Sequence, residues 1–125
     1  MQTWLYVAAG GALGACLRFG IGELMALLLG RHFPYGTLTV NLVGSFIMGV
    51  AFALISNGHV MEHPMKPLLM VGLLGALTTF SSFALDTVVL AQHGAWFKAV
   101  LNMGLNLFLC LLMVVLGMQL VASRV

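Results

Sequence analysis

Four stretches of roughly 20 apolar residues, each long enough to cross a bilayer, decide what this chain can fold into. They run about Trp4 to Leu29, Thr37 to Ser56, Leu68 to Ala91 and Trp96 to Val121 of 125 residues. Only 6% of the residues are charged and the mean hydropathy is +1.11, whereas a water-facing domain carries about 25% charge. That composition excludes a soluble enzyme and a disordered tail. Lipid provides no water for unpaired backbone groups, so an open chain crosses it as helices. A net charge of +2 is too little to neutralise a nucleic-acid backbone, which argues against such a partner.

The turns between the stretches are too short to hold another domain: Arg31-His32-Phe33-Pro34, Asn57 through Pro67, and Gln92-His93-Gly94. Residues 1–125 therefore read as a single all-α, multi-pass membrane domain. No Lys or Arg precedes Arg18, and the first apolar run exceeds a signal-peptide core, so it is expected to be a retained helix. Cys16 and Cys110 both fall inside spans and read as small packing residues rather than a disulfide or metal pair.

Lys and Arg in short loops normally set orientation. With four spans, Lys66 and Arg124 fall on one side, and Arg31 and Lys98 on the other. This tie, with Arg18 set aside inside a span, specifies no preferred orientation. Either a small bias such as Arg18 decides, or the chain inserts both ways and pairs as an antiparallel two-fold dimer. Four spans alone would enclose a pathway poorly, which favours the dimer. Gly10 and Gly14 form a Gly-x-x-x-Gly, Gly11 and Ala15 repeat the spacing, and Ser45 and Gly49 do likewise. Gly72 and Gly75 thin the third span. Small residues so placed let helix backbones touch.

Polar residues within the spans are the informative minority. Thr37, Asn41 and Ser45 recur at i, i+4, i+8, as do Asn102, Asn106 and Cys110. Each stripe is uncharged, and reads either as interhelical glue or as a polar track along a pathway. The third span runs Gly72-Leu73-Leu74-Gly75-Ala76-Leu77-Thr78-Thr79-Phe80-Ser81-Ser82-Phe83. Glycine and β-branched threonine weaken a helix there, so an unwound segment is expected, with exposed carbonyls able to hold a cation. Phe80 and Phe83 share a face at i, i+3. They suit core packing, or an anion met by the positive ring edges. Arg18 reads as a snorkelling cation or as part of an anion-attracting vestibule. Acids are scarce: Glu23, Glu62 and Asp86.

These residues resemble the small bacterial fluoride channels of the Fluc, or CrcB, family. The similar pieces are Gly10 through Arg18, Gly36-Thr37-Leu38-Thr39-Val40-Asn41, and Gly72 through Phe83, in the family's order along the whole chain. The resemblance implies a fluoride-specific channel in the bacterial inner membrane, exporting fluoride passively as an antiparallel dual-topology homodimer with two pores. It implies that Phe80 and Phe83 line the pore and that Asn41 reaches the ion. Asn102, Asn106, Cys110 and Ser82 would continue the pathway, and Arg18 matches the family's first-helix arginine. The break in the third helix would offer the carbonyls of Gly75 and Thr78 to a structural Na⁺ that is not transported. Departures from the family pattern are Ser82 for Thr, Ala76 for Gly and Asp86 for Glu, and the thiol of Cys110 bonds more weakly than a hydroxyl. The competing class is a small multidrug-type proton-coupled exporter, which needs a first-helix carboxylate. Glu23 is the only first-span acid, and it lies after Arg18. A holin-like assembly would need no aligned polar stripes.

Overall fold

Residues 1–124 are described by a computed structural model, and it is helical throughout. Helix α1 spans Gln2–Leu29 and α2 Tyr35–Ser56. The third span, Glu62–Gln92, comprises α3 (residues 62–77) and α4 (Phe80–Gln92). Helix α5 is the fourth span, Trp96–Arg124. All four spans are long and apolar enough to cross a membrane. They extend a few residues beyond the stretches read from hydropathy, because Gln2, Tyr35 and Lys66 continue the helical backbone past the apolar core. Gly30 closes α1 at φ 88°, and Gly94 turns the chain into α5 at φ 78°, both conformations that disfavour a Cβ.

Two stretches depart from α geometry. Lys66–Leu74 is π-helical and contains Pro67, which has no N–H to give the ladder. Leu105–Leu109 is π-helical as well, and it carries Asn106. There the Asn106 side chain donates to the Asn102 carbonyl at 2.9 Å and so intrudes on the helical ladder.

Helix α1 packs on α3 and α2, α2 packs on α5, and α4 packs on α5. Glycines make the two tightest crossings. A Cβ on Gly10 or Gly14 would strike the Leu68 or Leu73 carbonyl oxygen of α3. On the other side of the bundle, Cβ atoms at Gly49 and Gly117 would strike the carbonyls of Val114 and Phe46. The small-residue spacing read in the first two spans is thus used between helices within the chain. Gly75 is different: it is exposed, and its nearest neighbour for a Cβ is 3.6 Å away. Val40, Leu74 and Leu77 form the buried centre, flanked by Ile21, Ile47 and Met48.

Because the Gly49 contact is with backbone, no rotamer change relieves a side chain there. Gly49→Val is expected to lower the melting temperature in detergent sharply, by overpacking that costs about 1–3 kcal/mol or more. Gly104→Ala, with open space around it, is expected to melt with the parent. Equal melting of all three proteins would show that the crossing is loose.

Candidate functional site

The third span breaks where Thr78 and Thr79 turn extended, with φ/ψ of −83°/152° and −151°/121°. In lipid every peptide group so released needs a partner. Thr78 turns back to α3, its N–H and Oγ1 both donating to the Leu74 carbonyl at 3.0 and 2.9 Å. Thr79 caps α4, its Oγ1 accepting from the Ser82 N–H at 3.1 Å. The remaining groups of Thr79 go to α2. Asn41 Oδ1 accepts the Thr79 N–H at 2.8 Å, and Asn41 Nδ2 donates to the Thr79 carbonyl at 3.1 Å. One side-chain amide thereby pairs with both backbone groups of the residue at the break. An unbroken helix would pair the Thr79 N–H with the Gly75 carbonyl. Its diversion to Asn41 releases that carbonyl at an exposed position.

The Asn41 clasp opens a longer chain of bonds. Asn41 Nδ2 also donates to Asn106 Oδ1 at 2.9 Å, and Asn106 Nδ2 donates to Asn102 Oδ1 at 3.0 Å. Asn102 Nδ2 donates to Thr87 Oγ1 at 2.9 Å, and Thr87 Oγ1 donates to the Phe83 carbonyl at 2.8 Å. The polar stripes of α2 and α5 therefore meet each other and both flanks of α4.

Phe80 and Phe83 project from the first turn of α4 in an edge-to-face pair, with centroids 5.2 Å apart and planes at 67°. Phe83 is buried, whereas Phe80 is 72% exposed. Both rings, with Asn41, Ser45, Asn106 and Cys110, wall an open cleft of about 240 Å³ whose lining carries no charged residue. Thr79 lines this cleft and also a second cavity of about 260 Å³, where Arg18, Thr37 and Ser82 lie. Thr37 continues into a third, of about 400 Å³, beside the 30–34 turn. Its hydroxyl donates to Asp86 Oδ2 at 2.9 Å. Glu23 and Arg31 pair loosely in the same cavity, at 3.5 Å and mostly exposed. The stripe Thr37–Asn41–Ser45 thus walls successive hollows on either side of the break.

Of the residues expected on the ion pathway, Phe80, Phe83, Asn41, Asn106 and Cys110 come together in one cleft. Ser82 and Arg18 come together in the neighbouring one. Asn102 lies apart from both. It is wholly buried at 0% exposure, and its amide is spent on Asn106 and Thr87, so it walls none of these cavities. Asn102 lies one turn before Asn106 and two before Cys110, where α4 covers α5 and Thr87 meets its amide. Thr87 and the backbone of Thr79 are the participants that the stripes did not indicate. The Phe83-to-Thr87 spacing of four, at which a threonine hydroxyl reaches the preceding turn's carbonyl, is the available signal.

Residues 5–118 match the family described as CrcB-like protein, Camphor Resistance (CrcB). The chain is 88% identical, over the full length of both, to a protein of Aeromonas salmonicida (strain A449) named "Fluoride-specific ion channel FluC". Proteins of the same name are 54% identical in Shewanella woodyi, over the whole of both chains, and 51% identical in Pseudoalteromonas translucida, over 94% of this chain and 98% of that one. With the family matched along nearly all its length and such relatives end to end, the chain belongs to the CrcB family.

Proposed function

We propose that this chain is a fluoride-specific ion channel of the bacterial inner membrane, through which fluoride leaves the cytoplasm passively. The observation that carries the reading is the end-to-end likeness to proteins so named. The geometry agrees with it. A weak acid enters neutral and dissociates in the more alkaline cytoplasm, so a passive anion exit suffices to limit toxicity. Fluoride is small and strongly hydrated, and a pore must replace its water with several weak donors that also release it. Ring edges, hydroxyls and a thiol at an uncharged cleft meet that demand, in a wall that the amides hold in place. Phe80, Phe83, Asn41, Asn106 and Cys110 would line the pathway, with Ser82 and Arg18 in the adjoining vestibule. The protein acts as a channel and not as an enzyme. A proton-coupled exporter is disfavoured because Glu23, the only acid of α1, is exposed at the end of that helix and faces Arg31.

The active form in this reading is an antiparallel, dual-topology homodimer. The tie of basic residues supports it, and so does Phe80, a pathway ring that stands open to the outside of one subunit. The break supplies oxygen ligands for a structural Na⁺. The carbonyls of Gly75 and Thr78 are hard donors next to the exposed break, and Gly75 has lost its helical partner. Two carbonyls doubled by a two-fold axis would make a four-oxygen cage at the dimer centre. When bound, the ion supplies only a fixed positive charge that ties the two breaks together.

Three measurements test this. Purified protein in liposomes is expected to release fluoride with no proton gradient and to exclude chloride; comparable chloride flux, or a strict need for a pH gradient, would sink the reading. Phe80→Ile and Phe83→Ile keep bulk but remove the ring edge, and are expected to slow efflux at least about tenfold, the equivalent of about 1.4 kcal/mol in the barrier. Parent-like efflux from both folded variants would leave the rings as packing alone. Exchange of Na⁺ for a large organic cation is expected to weaken both dimer stability and fluoride flux. If neither changes, the carbonyl cage is absent.

A further inference from the structure

The amide chain begins and ends on the same helix. It leaves α4 at its cap, Thr79, passes through Asn41 on α2 and Asn106 and Asn102 on α5, and returns one turn beyond Phe83 at Thr87. Phe80 and Phe83 lie between the two attachment points. We propose that Thr87 is a positioning residue, whose hydroxyl ties the Phe83 turn of α4 to Asn102 and so holds the Phe80–Phe83 pair at the wall of the cleft.

Both capacities of the Thr87 hydroxyl are in use, accepting from Asn102 and donating to the Phe83 carbonyl. Asn102 is wholly buried, so it has no water with which to replace this partner. Helix α4 has no continuous backbone connection to α3 that would fix its rotation, since Thr78 and Thr79 are extended. Its orientation comes from packing on α5 and from side-chain ties. Asn41 fixes the cap from α2, and Thr37 holds Asp86 from the same helix. Thr87, two turns beyond the cap, ties α4 to α5 by a hydrogen bond, and together with the α2 ties it determines where Phe83 faces. Phe83 in turn sets Phe80, which meets it edge to face and is otherwise largely uncovered. Asn102 fits the same role, and its burial is explained without asking it to touch the ion.

The inference rests on fluoride conduction, so unaltered protein in the same vesicles serves as the control. Reconstitution at limiting dilution separates the fraction of vesicles that hold an active channel from the rate within each. Thr87→Val keeps shape but removes the hydroxyl, and Thr87→Ser keeps the hydroxyl. The expected result is a per-channel fluoride rate at least about tenfold lower in T87V, with normal elution, and a rate near the parent's in T87S. Asn102→Ala is expected to match T87V, and the double variant to be no slower than either single one, because both cut the same tie. A parent-like per-channel rate in folded T87V overturns the inference. So does a T87V that only reduces the number of active vesicles, or that fails to fold together with N102A, because the hydroxyl then serves the fold and not the rings. Absence of efflux from the unaltered protein would instead refute the conduction reading.

Discussion

A peptide bond that leaves helical geometry inside lipid has no solvent to fall back on, and the structure depends on how Thr79 meets that constraint. Each unsatisfied backbone group in hydrocarbon costs several kcal/mol, a penalty that both backbone groups of Thr79 escape. Asn41 answers both at once, with one carbonyl and one amine at 2.8 and 3.1 Å from the same residue. An interhelical side-chain bond in a membrane averages only about 0.6 kcal/mol by direct measurement. The clasp therefore matters less for its own strength than for the penalty it prevents. Once it is made, Thr79 can cap α4, the Phe pair can leave the helix axis of α3, and the Gly75 carbonyl is released.

The clasp is possible only because the helices approach closely. Asn41 is a short side chain, and it reaches a backbone on the third span and an amide on the fourth. Gly44, next along the same helix, has no room for a Cβ beside the Thr78 methyl group. Gly49 and Gly117 let α2 and α5 touch through their backbones, which brings Asn41 within 2.9 Å of Asn106. Small residues and buried amides are two halves of one device. The first sets a separation that the second can bridge.

Much of this was legible in the sequence, because lipid turns composition into architecture. Four apolar runs become four spans, and Gly, Thr and Ser together mark the break within the 72–83 segment, where it falls at Thr78 and Thr79. Helical spacing placed Thr37, Asn41 and Ser45 on one face, and they do wall adjoining hollows. On α5 the same spacing placed Asn102, Asn106 and Cys110 in a row, with a wider turn at Leu105–Leu109 between them. Their surroundings differ: Asn102 is buried between helices, whereas Cys110, two turns on, walls the cleft. Which amide bonds to which is a property of helix crossings, and no single-helix pattern contains it. Thr87 belongs to no stripe of its own helix, and it acquires meaning only from the residue facing it on α5.

The same network bears on how an anion could be selected without a fixed charge. Both amide protons of Asn41 and both of Asn106 are already engaged with Thr79 and with neighbouring amides. Groups bound so fully make poor ligands, because an ion must break a bond to recruit one. The Phe83 and Phe80 rings, which pair edge to face, carry no hydrogen bond that an ion would have to break. Arg18 lies across the break in a separate cavity, so its charge does not stand at the rings. A guanidinium in the cleft itself would bind fluoride firmly and slow its release. The chain thus spends its strong donors on fixing geometry and leaves the weak ones free, a division suited to an ion that must give up its water and then move on.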